Sequence, residues 1–400
     1  MEYKADGVWA DILADMRYAM IMAGGAGTRL WPMSRLQLPK QLIKFIQRPG
    51  EPKPVSLLEL AASRLEGLID PQRRYICTSE SYRELIKSGV AGFTGKKADE
   101  RILGEPMGRD TVNAVGLAAA VLAKEDSEAI FAVLTADHII EPDDVFRARM
   151  DLGFRLVEDD DRRLVTFSIT PTYPATGFGY VERGMPIRGI KDDKDAEGKP
   201  LAFNVARFVE KPDLPRAQAY VQSGMFNWNS GMFVWKAKTI LDCLERFKPD
   251  AYAGIMEIQK AWGTKKQQAT LEKIYPTLPK ISVDYALMEP VAAEIKKGSS
   301  EFAICTVQMG VRWLDVGSWP SYAETVPPDA DQNRFAGEGR TLAHKCKGNL
   351  SVNAVPGHTV ALLGVDDLVV VHTADATLIM SKAKAEELKT LHAMVGDGLK

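Results

Sequence analysis

A glycine-rich turn near the start of the chain constrains its fold more than any other feature. The apolar run 19–23 predicts a buried strand, and three glycines follow at once within four positions, Gly24, Gly25 and Gly27. Glycine permits a sharp turn and lets backbone N–H groups approach an anion closely. A buried strand that ends in such a turn indicates a place where phosphate groups bind.

Two cations follow this turn. Arg29 offers a planar fork of donors that suits phosphate oxygens, and Lys40 adds a point charge further along the loop. The dinucleotide fingerprint is excluded because Leu30 stands where its third glycine is required, and the Walker A motif is excluded because no Gly-Lys-Ser/Thr follows. The alternative is a tight turn with solvated cations, but the two cations favour a triphosphate site.

Composition predicts a globular protein rather than a membrane or nucleic-acid-binding one. The 400 residues are 46% hydrophobic and 26% charged, which suits one large domain and a smaller one. The net charge of -2 predicts no nucleic-acid partner, and no apolar run reaches the ~20 residues that a membrane helix needs. The acidic N-terminus does not resemble a secretory signal, and the 4 cysteines form no Cys-x-x-Cys pair, so we expect a cytoplasmic protein without zinc or a disulfide framework.

Buried strands alternate with amphipathic helices, as at 129–135 and 143–157, which predicts an α/β fold with a parallel sheet. Ligands of such sheets lie beyond the carboxyl ends of the strands. Asp137 and Asp315 both follow apolar strands, and carboxylates together with substrate phosphates are typical Mg²⁺ ligands. A helix cap or a loop turn would also explain either aspartate alone. We interpret His138 as a structural hydrogen-bonding residue.

The motif that begins at Gly24, Gly-Gly-x-Gly-Thr-Arg-Leu-Trp-Pro-x-Ser-Arg, and the later Pro39-Lys40-Gln41 resemble the signature of the sugar nucleotidyltransferases, in particular the mannose-1-phosphate guanylyltransferase branch. The resemblance implies a Rossmann-like mixed, mainly parallel sheet flanked by helices, with a small C-terminal β domain. It implies an N-terminal extension at 1–17, a catalytic domain at 18–328 and a β-rich domain with a terminal helix at 340–400. Residues 327–340 read as a linker between them.

The same resemblance assigns roles to individual residues. Catalytic roles fall to Arg29, Lys40 and Lys211. Nucleotide binding falls to Gly24, Gly25, Gly27, Thr28, Glu105, Arg109 and Thr111. Sugar binding falls to Gly179, Glu210, Asn229 and Asp284, and Mg²⁺ binding to Asp137 and Asp315. The segment around Arg109 departs from the family pattern, because Asp110, Val112 and Asn113 stand where relatives carry Asn, Ala and Pro.

The implied reaction joins GTP and mannose 1-phosphate to give GDP-mannose and pyrophosphate, by in-line attack at the α-phosphorus. A homodimer formed through the C-terminal domain is also implied.

Two alternatives stay open. The enzyme could use another sugar 1-phosphate or nucleotide, since Asp110 lies in the base-binding segment. The chain could instead be a silent regulatory subunit that binds nucleotide sugars, although such a subunit is expected to lose Arg29, Lys40 or an aspartate, and none is lost.

Overall fold

The computed structural model describes residues 16–25, 27–48, 50, 52–90, 92–93, 98–299 and 301–400. All but the last two residues of the predicted N-terminal extension lie outside these ranges. The strands are β1 (Arg17–Met22), β2 (Arg74–Ser79), β3 (Ile102–Glu105), β4 (Ile130–Thr135), β5 (His138–Glu141), β6 (Arg163–Ile169), β7 (Tyr180–Pro186), β8 (Ala202–Val209), β9 (Phe226–Lys236), β10 (Ala303–Gln308), β11 (Arg312–Asp315), β12 (Arg334–Ala336), β13 (Arg340–His344), β14 (Leu350–Asn353), β15 (Thr359–Leu363), β16 (Leu368–His372) and β17 (Thr377–Ser381).

The α-helices are α1 (Leu57–Ser63), α2 (Arg83–Gly89), α3 (Ala98–Arg101), α4 (Thr111–Glu125), α5 (Asp143–Asp159), α6 (Leu214–Ser223), α7 (Ala237–Phe247), α8 (Pro249–Ala261), α9 (Gln267–Ile274), α10 (Glu289–Lys296), α11 (Trp319–Ala323) and α12 (Leu388–Met394). Short 3-10 turns and one π-helical turn, Asp284–Met288, join some of them. No helix in the described ranges has both the length and the apolar character needed to cross a lipid bilayer.

The central sheet has the order β3-β2-β1-β4-β9-β6-β10-β8-β7 among the described residues. Strands β8 and β9 run against the others, so the sheet is mixed and mainly parallel, as predicted. Strand β4 explains how both faces are covered, because successive side chains point to opposite faces. Phe131 and Val133 pack in the core layer that contains α4, while Ala132 and Leu134 pack in the layer that contains α5.

The start of α1 shows the predicted capping box. The Ser56 hydroxyl accepts a hydrogen bond from the Glu59 amide, and the Glu59 carboxylate accepts one from the Ser56 amide at 2.7 Å. The helix is shorter than the sequence pattern predicts, because it ends at Ser63 and not at Leu68. Beyond it, the guanidinium of Arg64 turns to donate to the backbone carbonyl of His138, a tertiary contact 74 positions away.

The C-terminal strands form a compact β structure with parallel pairs. Strands β12, β14 and β16 pair in parallel, β17 closes this sheet in antiparallel pairing, and β13 pairs in parallel with β15. The predicted linker is therefore not all loop, because β12 lies within it and pairs with β14. The apolar side chains of β14 and β16 share one core with Leu30, Trp31 and Leu57. These strands therefore pack against the segment that follows the glycine turn and against α1.

Candidate active site

A cavity of about 440 Å³ lies beyond the carboxyl ends of β1 and β4. Gly27 shapes its floor, since its φ of 66° is left-handed and a Cβ there would stand 2.6 Å from the Lys40 Cβ. A side chain at this position is thus excluded by backbone conformation and by space. Nine residues predicted from the sequence line the cavity: Gly24, Gly25, Gly27, Thr28, Arg29, Lys40, Glu105, Thr111 and Asp137.

Lys40 and Asp137 form an ion pair inside this cavity. The Lys40 Nζ donates to the Asp137 carboxylate at 2.7 Å and to the Val316 carbonyl at 3.3 Å. Burial opposes ionisation of Asp137, but the charge of Lys40 and the other opposing causes, which include hydrogen bonds to the carboxylate, together prevail and lower the pKa of Asp137 to about 2. Asp137 is therefore a carboxylate across the whole working pH range, as a cation ligand must be.

Asp137, His138 and Asp315 offer ligand atoms that all lie within 4.8 Å of one another. The antiparallel pair β5 and β11 brings them together, because Asp315 lies directly opposite His138 in the register. Burial, followed by the charge of Asp137, raises the pKa of Asp315. The Asp315 Oδ1 atom is buried and finds no hydrogen-bond partner within the described ranges.

His138 serves this cluster as a hydrogen-bonding residue. The indole N–H of Trp313 can only donate, and it points at the His138 Nδ1 from 3.2 Å, while the Thr135 hydroxyl lies 2.5 Å from the same atom. Nδ1 is therefore an acceptor, and burial lowers the pKa of His138, so the neutral ring carries its proton on Nε2. That nitrogen faces the Asp137 carboxylate at 3.7 Å, so the two aspartates are the candidate oxygen ligands for a cation.

Arg29 points into the cavity but is held by a partner that the sequence did not predict. Its Nη1 donates to both carboxylate oxygens of Glu386, at 3.0 and 3.1 Å, from the segment just before α12. Lys389 of α12 also lines the cavity. Neither residue lies in a motif with a known chemistry, so only the tertiary contact places them here.

Glu105, which the sequence predicts to bind the nucleotide, lines the cavity. Its carboxylate accepts a hydrogen bond from the Tyr275 hydroxyl at 2.6 Å, and burial raises the pKa of Glu105 to about 7. A Cβ on Gly24 would stand 3.0 Å from the Glu105 Oε2, so the glycine leaves room for this carboxylate. Thr111 accepts from the Val283 amide at 2.9 Å, whereas Arg109 does not line the cavity.

The three departures from the family pattern have different environments. Asp110 lines the cavity and caps α4, since its carboxylate accepts from the Thr111 amide at 2.8 Å. Val112 is fully buried in the core. Asn113 is also buried and donates to the carbonyls of Arg109 and Pro279. Among these three side chains, Asp110 alone lines this cavity.

The predicted sugar-binding residues form a second, connected group. The Asn229 amide donates to the Asp284 carboxylate at 2.9 Å and accepts from the Thr166 hydroxyl at 2.7 Å. Burial, followed by the charge of Glu210, raises the pKa of Asp284 to about 7. These two hydrogen bonds fix the orientation of the Asn229 amide. Because its pKa is about 7, the Asp284 carboxyl group is partly protonated near neutral pH.

Lys211 and Gly179 complete this group. The Lys211 Nζ donates to the Glu210 carboxylate at 2.8 Å. Burial opposes the charge on Lys211, but the bond to Glu210 prevails and raises the pKa of Lys211, so the ammonium stays charged. A Cβ on Gly179 would stand 2.4 Å from the Glu210 Oε2, which explains the need for glycine.

The two groups meet at one edge of the central sheet. Strand β9 pairs with β4 on one side and with β6 on the other, and Asn229 lies opposite Ser168 near the end of β6. Gly231 of β9 has a φ of 71°, and a Cβ there would lie 3.7 Å from the Thr135 methyl at the end of β4. The cavity at the end of β4 and the second group near the end of β6 therefore lie at the same edge of the sheet, on either side of β9.

Comparisons with known proteins agree with this arrangement. The nucleotidyl transferase family model matches residues 18–332, and the model of the mannoseP isomerase/GMP-like beta-helix domain matches residues 352–392. The chain therefore belongs to the nucleotidyl transferase family. The predicted fold class, with its C-terminal β region, is confirmed by these matches.

Within this family, the chain is similar to mannose-1-phosphate guanylyltransferases. It is 35% identical to that of Klebsiella pneumoniae over 375 residues, which cover 94% of this chain and 73% of the relative. It is 36% identical to that of Escherichia coli strain K12, covering 93% and 72%. A crystal structure from Thermus thermophilus, described as a mannose-1-phosphate geranyltransferase, is 30% identical, has a TM-score of 0.77 and covers 95% of this chain and 99% of that chain.

We predict that Glu105→Gln flattens the pH dependence of stability. Glu105 has a pKa of about 7 when folded and an ordinary value of 4.5, so the folded state binds the extra proton between these values. Its contribution to stability is fully present below pH 4.5 and is lost as pH rises through 7, by up to about 3 kcal/mol. Glutamine cannot ionise and keeps an acceptor for Tyr275. Urea unfolding at pH 5 and pH 8 measures the difference.

The matched control is Glu257→Gln, which alters an exposed glutamate on α8. This variant should keep the wild-type difference between the two pH values. An unchanged difference in Glu105→Gln as well would show that Glu105 does not titrate in this window.

Proposed function

We propose that this protein transfers GMP from GTP to mannose 1-phosphate, forming GDP-mannose and pyrophosphate. The observation that carries the proposal is the convergence of Arg29, Lys40 and Asp137 on one cavity floored by a glycine turn. Such a set suits a triphosphate, because it combines backbone N–H groups, two cations and a cation-binding carboxylate. The named relatives supply the choice of substrates.

The proposed reaction needs no general base. The attacking oxygen belongs to a sugar phosphate, which is already an anion, and it displaces pyrophosphate from the α-phosphorus in line. Catalysis then consists of positioning and charge neutralisation. Arg29 and Lys40 hold the triphosphate and stabilise the pyrophosphate as it leaves. Lys211, held charged beside Glu210, positions the phosphate of the sugar.

Asp137 and Asp315 fit the predicted Mg²⁺ ion. Mg²⁺ prefers carboxylate oxygens together with substrate phosphates, and Asp137 is ionised. The buried Asp315 Oδ1, which has no hydrogen-bond partner in the described chain, is an atom whose polarity a cation would satisfy. Bound between these two aspartates, Mg²⁺ would neutralise phosphate charge.

The second group supports recognition of the sugar. Asn229, Asp284 and Glu210 present amide and carboxyl groups that suit the hydroxyls of a hexose. Gly179 brings the backbone close to the Glu210 carboxylate. The group borders the phosphate cavity at the edge formed by β4, β9 and β6, which is where the sugar of the product would lie.

The test is pyrophosphate release in the presence of Mg²⁺ and mannose 1-phosphate, with GTP compared against ATP, UTP and CTP. We expect release with GTP that stops when a chelator is added. Equal release with another nucleotide would move the specificity away from guanine and point to Asp110. No release with any sugar 1-phosphate, together with measurable binding of GDP-mannose, would favour the regulatory subunit.

We also propose a cytoplasmic location and a homodimer formed through the C-terminal strands, as the sequence predicts. Light scattering coupled to gel filtration measures the mass of the assembly. A mass of one chain at working concentration would overturn the dimer.

A further inference from the structure

The C-terminal segment reaches back to the phosphate loop. The indole N–H of Trp31 donates to the Leu399 carbonyl at 2.8 Å, and the Leu36 amide donates to the Lys400 carbonyl at 3.2 Å. Leu388 of α12 is buried in the same core as Leu30 and Trp31. Anchored at these points, the segment 382–400 lies against the phosphate end of the nucleotide cavity.

Two of the cavity's cations are already neutralised by carboxylates of the chain. Lys40 is paired with Asp137 at 2.7 Å, and Arg29 with Glu386 at 3.0 Å. Lys389 lies one helical turn after Glu386 and lines the same cavity. Its ammonium has no ion pair or hydrogen bond with any residue that the structure describes. Lys389 therefore brings a positive charge that the chain leaves unmatched.

A nucleoside triphosphate and pyrophosphate both carry several negative charges, and an ammonium in the cavity lining that has no carboxylate partner is suited to bind them. We propose that Lys389 is a third phosphate-binding cation, supplied to the nucleotide site by the C-terminal segment. The proposal rests on the proposed function, because it takes the ligand of the cavity to be a triphosphate. It makes the C-terminal region part of the nucleotide site in addition to any role in assembly.

The variant Lys389→Ala tests this role. We expect the KM for GTP and the inhibition constant of pyrophosphate each to rise about tenfold, since a charge-assisted contact to phosphate is lost. The KM for mannose 1-phosphate should not change, because Lys389 does not contact the second group of residues. Lys389→Arg should recover most of the affinity, which a purely structural role would not require.

Lys384→Ala is the matched control. Lys384 is an exposed lysine of the same segment, paired with Glu387 at 2.6 Å, and it does not line the cavity. This variant should keep wild-type constants. Unchanged constants for GTP and pyrophosphate in Lys389→Ala would overturn the proposal.

Failure of the proposed function would look different. The wild-type protein would then release no pyrophosphate from GTP and mannose 1-phosphate. In that case the affinity for pyrophosphate, measured by calorimetry, tests the role of Lys389 independently of turnover. Binding that is about tenfold weaker in Lys389→Ala than in the wild type supports the phosphate contact. Equal binding, or no binding to either protein, overturns it.

Discussion

Asp137→Asn is expected to lower the turnover number by about 10²–10³-fold, by analogy with the removal of one transition-state contact elsewhere. The change keeps the size of the side chain but removes a charge that is present at every working pH, since the pKa of Asp137 is about 2. The proposed cation ligand and the partner of Lys40 are lost together. Steady-state pyrophosphate release with GTP and mannose 1-phosphate measures the effect.

The variant should remain folded. The Lys40 ammonium keeps the Val316 carbonyl at 3.3 Å and borders an open cavity, so water can replace the lost partner. Thermal unfolding should therefore shift by only a few degrees. Asp242→Asn is the control, because Asp242 pairs with Lys238 at 2.7 Å on the surface of α7. It should keep turnover within about twofold, and turnover near wild type in Asp137→Asn would remove Asp137 from the active site.

Arg29→Ala is expected to lower turnover by about 10²-fold or more, because it removes the planar donors that the proposed function assigns to phosphate oxygens. The Arg29 side chain is 32% exposed and pairs with a Glu386 that is 72% exposed, so the fold should lose little stability. Arg29→Lys should restore only part of the rate, since an ammonium cannot reproduce the fork of donors. Single-turnover measurements separate this loss from weaker binding of GTP.

Arg216→Ala serves as the control for Arg29. Arg216 lies on α6, is exposed, makes a 3.8 Å contact with Asp213 and does not line the cavity. It should behave as wild type. If Arg29→Ala also kept the wild-type rate, the glycine turn would have to bind phosphate without it.

Local signals account for the parts of the fold that the sequence predicts well. The predicted strand 129–135 is observed at Ile130–Thr135, and the helix predicted from Asp143 begins there. The capping box at Ser56 gives the start of α1. These features depend on residues within one or two turns of the chain, and so a pattern of apolar and capping residues is enough to predict them.

The sequence predicts the composition of the site but not its connections. Nine of the proposed residues line one cavity, whereas Arg109, Asp315 and the second group, which contains Lys211, do not. The hydrogen bond between Tyr275 and Glu105 joins positions 170 apart in the chain, and no local sequence pattern predicts it. The linker pattern at 327–340 likewise missed β12, because that strand forms by pairing with β14 and not from its own composition.

The glycine turn with its two cations and the carboxylates that follow buried strands could be predicted from the sequence, since these features depend on short-range chemistry. The contact between this turn and the C-terminal segment could be seen only in the folded chain. Arg29 pairs with Glu386 across 357 positions, and Lys389 enters the nucleotide cavity beside it. That contact exists because the C-terminal strands bury apolar side chains against Leu30 and Trp31. This packing joins segments that are far apart in the chain, so a local sequence pattern cannot predict it.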